Sequence, residues 1–209
     1  MPPVARKAEL PSKAITLPEP RLDSKVAIER VLYARRSVRE FSGAALDLAQ
    51  VAQLAWAAEG VTGAEGHRTA PSAGGLYALD LYVIAANVHG LPAGFYKYQQ
   101  LTHEVVSITE GDIRAQLAHA ALEQTAIAYA AATFLLSAVY ARISEKYGER
   151  GIRYTHMEAG HAAQNLLLQA VALGLGAVLV GAFDDAAVRR VLRLGKADMP
   201  LYLIPVGHP

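Results

Sequence analysis

The chain has no cysteine among its 209 residues. Disulfides, thiol nucleophiles and thiolate metal sites are excluded by that absence alone. Charge is scarce as well: Asp, Glu, Lys and Arg make up 19% of the residues, against the about one quarter usual in soluble domains, and the formal net charge is +1. With no global field, nothing draws the chain to a polyanion, and nucleic acid is not an expected partner. No run approaches the ~18 uninterrupted apolar residues of a membrane helix. The start, Met1–Pro20, is proline-rich and lacks the apolar centre of a secretory signal. These absences lead us to expect a cytoplasmic protein with no membrane partner. What is abundant is apolar residue content, 53%, which points to surface buried in an oligomer or around an apolar cofactor. The length fits one domain.

Residues 1–22 carry five prolines and few large apolar groups, and they read as an extended arm, disordered or laid across another subunit. The single domain is expected over 23–209. Asp23 is placed to cap a helix through Ser24–Arg35, and Asp47 to cap a second helix that Gly60 ends. A glycine-rich loop follows from Gly60 to Gly75 and enters a strand at Leu79–Val88. Two short β-prone runs, Gly94–Tyr98 and His103–Ile108, form a hairpin, and Asp112 starts a third helix. Ala130–Tyr140 reads as a central strand, though its alanines also allow a helix. A glycine-punctuated connector, Ser144–Arg153, leads to the longest helix, about Tyr154–Leu173. A strand Gly176–Phe183, a short helix capped by Asp184 and Asp185, and a last strand Leu201–Val206 complete the chain. Helices and strands mix without strict alternation, which predicts α+β with a mixed sheet under helices.

Three stretches carry chemistry. Arg35-Arg36-Ser37-Val38-Arg39 places three guanidiniums and one hydroxyl within five residues, and guanidinium forks match phosphate oxygens. The competing reading is a solvated helix end, where arginine also suits the dipole. In Ala70-Pro71-Ser72-Ala73-Gly74-Gly75, adjacent glycines let backbone approach a flat or anionic ligand; a tight turn into the next strand is the plainer alternative. The long helix carries His156, Glu158, His161, Gln164 and Asn165 among small residues. Glu158 and His161 have the spacing of a di-iron ligand pair, but no second copy exists. His156 and His161 are five apart, so the zinc-protease pattern is missing, and no metal is expected. Gly174-Leu175-Gly176 follows a helix and precedes a strand, the reverse of a dinucleotide-binding turn. A phosphate-binding P-loop and a nucleophile elbow are both absent.

Taken together, four segments resemble the FMN-dependent nitroreductase superfamily, in particular its SagB-type dehydrogenase branch: residues 35–41, 68–75, 153–165 and 173–183, closed by Leu201–Gly207. Their order and spacing match over about residues 24–207. The resemblance implies a three-layer α/β/α fold around a central mixed, mainly antiparallel sheet. It also implies an intertwined homodimer with FMN at the interface. Arg35, Ser37 and Arg39, with Arg36, would hold the FMN phosphate. Pro71, Ser72, Ala73, Gly74 and Gly75 would come from the other subunit to the flavin ring or ribityl chain. Leu179, Val180, Gly181 and Ala182 would lie along the isoalloxazine, with the Gly181 amide near N5, and Glu158 would add a polar contact. Two features depart from relatives. The sequence stops at His208-Pro209 without the basic residues many add to the phosphate site, and Gly75 stands where many have asparagine.

The activity this implies is a ping-pong flavin oxidoreductase, in which NAD(P)H reduces tightly bound, non-covalent FMN at N5 and a nitroaromatic, quinone or similar small acceptor reoxidises it. The cofactor carries that chemistry, so no catalytic side chain is required. A second reading follows the SagB branch: oxidation of a thiazoline or oxazoline in a peptide or small heterocycle. There Lys146-Tyr147 resembles a Lys-Tyr pair that removes a proton, although the same residues also fit an ordinary amphipathic connector. A flavin-binding protein without turnover is the third.

Overall fold

The computed structural model describes residues 14–209. Most of the expected N-terminal arm, residues 1–13, lies outside them. Nine strands are present among the described residues: β1 (Ala14–Thr16), β2 (Leu46–Asp47), β3 (Leu79–Ala85), β4 (Val88–His89), β5 (Gly94–Gln99), β6 (Glu104–Glu110), β7 (Ala132–Ala138), β8 (Gly176–Ala177) and β9 (Met199–Gly207). The seven α-helices are α1 (Ile28–Ala34), α2 (Leu48–Glu59), α3 (Arg114–Ala120), α4 (Thr125–Tyr129), α5 (Ala141–Tyr147), α6 (Arg150–Ala172) and α7 (Asp185–Val191).

The two most apolar runs, β3 and β7, pair antiparallel over their full length at the centre of the sheet, and every residue of both is buried. Side chains alternate across a strand. Leu81, Val83 and Ala85 therefore face one apolar cluster with α2 and α6, while Tyr82 and Ile84 face another with α3, α4 and α7. This is the expected three-layer α/β/α arrangement. The order is β1-β6-β5-β3-β7-β9-β8, with antiparallel ladders throughout. Parallel pairing occurs between β2 and β4 and at a single Ser37–Ala177 bridge on the outer side of β8.

Several expected boundaries move. The first helix starts at Ile28, not Ser24, and Ala27 rather than Asp23 precedes it. The Gln53 amide on α2 takes the Arg21 backbone instead, accepting from its N–H at 2.8 Å and donating to its carbonyl at 3.1 Å. That contact keeps the entry extended. The Ser144–Arg153 connector is helical on both sides of Gly148, whose φ of +56° makes the break. The Gly176–Phe183 strand shortens to two residues. Val178 donates to the Pro205 carbonyl at 3.3 Å, and proline has no N–H to return the bond. Gly60 does end α2, but at a φ of −68°; a Cβ there would lie 2.1 Å from Trp56 Cδ1, so the requirement is space. Ala14–Thr16, expected in a loose arm, instead pairs with β6 and edges the chain's own sheet.

Candidate active site

The arginine run sits at the C-terminal end of α1, where unpaired carbonyls make a partial negative charge. Arg36 meets that need locally: its Nη1 donates to the carbonyls of Tyr33 (2.9 Å) and Arg35 (2.7 Å). Arg35, Ser37 and Arg39 are different. Their side chains make no hydrogen bond or ion pair among the described residues, and Ser37 and Arg39 are exposed. The backbone beneath them is fixed. Val38 N–H donates to the Ala177 carbonyl at 3.0 Å, and the Val38 side chain covers Gly176, where a Cβ would fall 2.6 Å from Val38 Cγ1. Three free donors are thus mounted on the edge of β8.

The chain leaving β8 is the expected ring-facing stretch. Val180 exchanges hydrogen bonds with Leu203 at 2.8 and 2.9 Å, and its side chain is buried in the α3–α4–α7 core. Leu179 is half-buried, while Gly181 and Ala182 are exposed. Of the four predicted residues, Val180 therefore has its side chain and its backbone hydrogen bonds committed to the fold, and the open surface begins at Gly181. The Asp184 carboxylate accepts from Ala187 N–H at 2.8 Å and stops the segment by capping α7.

The glycine-rich loop is organised from below. Ser72 Oγ donates to Glu158 Oε2 at 2.5 Å and accepts from Tyr77 N–H at 2.9 Å. Ala73–Gly75 form one turn of 3-10 helix, with Gly74 and Gly75 at φ of +65° and +66°, a conformation that favours glycine. Pro71, Gly74 and Gly75 are exposed, and nothing lies within 4 Å of a Cβ built on Gly75. Glu158 is 2% exposed, and its Oε1 is buried without a hydrogen-bond partner. Burial pushes its carboxyl above the usual range, against the Ser72 hydroxyl and the Arg68 charge. Glu158 and His161 do not converge, since His161 is exposed.

Residues outside the predicted set close the loop at its ends. The Arg68 guanidinium donates to buried Glu59 at 2.8 Å and lies 4.3 Å from the centre of the Tyr77 ring, while Arg68 N–H donates to Tyr77 Oη at 3.2 Å. Burial raises the Glu59 carboxyl to about 7, opposed by Arg68 and reinforced by Glu158 and Asp80. Asp80 is likewise buried, yet bonds from Arg142 and Lys97 outweigh its burial and hold it below the carboxylate range. Each acid had a signal in the sequence, a lone carboxylate inside an apolar stripe. Lys146 and Tyr147, on α5, converge on the loop: a Cβ on Gly74 would lie 2.7 Å from Tyr147 Oη and 3.1 Å from Lys146 Nζ. No hydrogen bond or ion pair joins residues 71–75 to residues 35–39 among the described residues.

Against known proteins, residues 32–208 match the family model described as the nitroreductase family. The chain belongs to the nitroreductase family. A nitroreductase-like protein of Methanocaldococcus jannaschii is 44% identical over 184 residues, covering 88% of this chain and 92% of the relative. A crystal structure of a nitroreductase-like protein from Ralstonia eutropha superposes with a TM-score of 0.83 at 30% identity, covering 100% of this chain and 95% of that one. Another from Anabaena variabilis gives 0.81 at 26% identity; this chain, 95% covered, spans 42% of that longer one. As a nitroreductase-family chain the protein is an oxidoreductase. No helix among the described residues is long and apolar enough to cross a membrane.

Proposed function

We propose that this nitroreductase-family chain is an FMN-dependent oxidoreductase that passes electrons from NADH or NADPH to a small acceptor such as a nitroaromatic or quinone. The observation that carries the reading is the set of unpaired donors on Arg35, Ser37 and Arg39, fixed by the Val38–Ala177 hydrogen bond beside an open strand end. Arginines that find no carboxylate among the described residues fit a dianionic phosphate, and charge-assisted forks suit its oxygens. FMN supplies, when bound, reversible two-electron chemistry at its ring. The chain's own residues have simpler tasks. Arg35, Ser37 and Arg39 hold the phosphate, Gly181 and Ala182 give a flat surface with exposed backbone, and Gly74 and Gly75 let the loop come close without a Cβ. Glu158 contributes through Ser72, which it holds in place from below.

We further infer a homodimer. The phosphate clamp hangs on β8 and the loop on α2, α5 and α6, so two copies would complete each site. Exposed Ile28, Leu32 and Tyr33 on α1, with Ile152 and Met157 on α6, supply apolar surface for it. A stable FMN-loaded monomer in sedimentation would contradict this part. The activity is tested by steady-state oxidation of NADH or NADPH with menadione or nitrofurazone added; turnover that depends on bound FMN supports it, and a yellow protein inert to both nucleotides contradicts it.

One observation favours the azoline-dehydrogenase reading: Lys146 Nζ and Tyr147 Oη, neither bonded within the chain among the described residues, meet at Gly74. A neutral amine beside a phenol hydroxyl at a flavin loop would take a proton from a heterocycle. Activity on a thiazoline peptide with no nicotinamide requirement would select this alternative.

A further inference from the structure

Helix α5 has only seven residues, too few to persist without tertiary support. Ile143 is its one fully buried side chain, and Tyr147 adds an edge-on contact with Tyr154 at 5.2 Å between ring centres. The strongest tie is Arg142. Its Nη1 donates to Asp80 Oδ1 at 2.9 Å and its Nη2 to Asp80 Oδ2 at 3.0 Å, a two-pronged pair. The same Nη1 lies 3.3 Å from the Tyr77 carbonyl and 3.4 Å from that of Leu79. Arg142 therefore ties α5 to the segment where the glycine-rich loop turns into β3. One turn further on, Lys146 and Tyr147 reach Gly74.

We propose that Asp80 and Arg142 are positioning residues, a latch that holds α5 so that the Lys146 ammonium and the Tyr147 hydroxyl stand over Gly74, facing whatever binds on the loop. The consequence for a bound ring rests on the FMN reading above; the latch itself does not. Asp80 has a second partner, Lys97 Nζ at 2.7 Å, so removing Arg142 leaves no buried charge alone. This makes Arg142 the clean site to vary. Asp80 is the poor one, because its loss strands two cations.

The test uses the full-length protein reconstituted with FMN and compares wild type, Arg142→Gln, Arg142→Lys and Lys146→Met, the first two also in a Lys146→Met/Tyr147→Phe background. In Arg142→Gln, amide exchange across residues 141–147 should speed up by at least about tenfold while β3 and the centre of α6 keep their protection. Arg142→Lys, which offers one prong, should fall between. The visible band of bound FMN should shift in Arg142→Gln in the same sense as in Lys146→Met/Tyr147→Phe. In that background the Arg142→Gln shift should vanish, since the latch acts only through those two groups. Unchanged exchange over 141–147 overturns the latch. Faster exchange with an unmoved FMN band, or a shift that survives in the background, overturns its role at the ring. Failure of wild type to bind FMN refutes the cofactor reading while the exchange arm still judges the latch.

Discussion

The arginine run and the glycine-rich loop both depend on charge, in opposite ways. Half-buried Arg35 and exposed Arg39 have no side-chain partner among the described residues, whereas Glu59, Asp80 and Glu158 lie buried and hold their surroundings together. Unpaired cations at the surface cost the fold little, as the proposed phosphate clamp requires. Buried acids are expensive unless bonded, so each one here fixes a piece of backbone: Glu59 the loop entrance through Arg68, Glu158 its middle through Ser72, and Asp80 its exit through Arg142. In the proposed site the first region binds and the second shapes.

That contrast is sharpest in the double variant Arg35→Ala/Arg39→Ala. Two lost charge-assisted bonds at about 1.5–3 kcal/mol each should weaken FMN binding by about 10²- to 10⁴-fold, while the melting temperature of the FMN-free protein stays put. A fall in apo-protein stability comparable to the lost affinity would erase the distinction. Glu59 should behave in the reverse manner. Its carboxyl is raised in the folded state from 4.5 to about 7, so the folded protein holds a proton that the unfolded chain has released across that window. Stability contributed by this proton is present below pH 4.5 and lost as pH rises toward 7, on the order of 3 kcal/mol. Chemical denaturation from pH 5 to pH 8 should show that decline in wild type and a flatter profile in Glu59→Gln; matching profiles would contradict it.

Ser72→Ala removes the hydroxyl that donates to buried Glu158 and should cost about 1–3 kcal/mol in urea unfolding. A neutral result would mean that Glu158 is satisfied some other way. The smallest effect belongs to Arg36, whose guanidinium already caps α1. Arg36→Ala should change stability by less than about 1 kcal/mol and FMN affinity by less than about threefold. A loss as large as that at Arg35 or Arg39 would put Arg36 back in the phosphate clamp.

Much of this was legible in the residues. The apolar runs Leu79–Ala85 and Ala132–Ala138 gave the central strands because full burial on both faces leaves no room for polar alternation. Asp47 and Asp184 marked helix starts correctly because caps act locally. Asp23 misled because a side chain 30 positions away, Gln53, captured the neighbouring backbone. The arginine run announced itself by density, but its division into a capping Arg36 and a free Arg35 and Arg39 depends on which carbonyls α1 leaves open. Glu59, Asp80 and Arg142 were harder still. Asp80 pairs with Arg142 across 62 positions, and Glu59 meets Arg68 only nine positions on but beneath a loop whose shape exists only once the sheet has formed.

The central claim is that Arg35, Ser37 and Arg39 hold the phosphate of FMN. Parallel calorimetric titrations of FMN and of riboflavin, which lacks only the phosphate, address it directly. Wild type is expected to bind FMN at least about 100-fold more tightly than riboflavin, with the gap closing in Arg35→Ala/Arg39→Ala. Equal affinity for the two flavins, or a gap that survives the double variant, would contradict it.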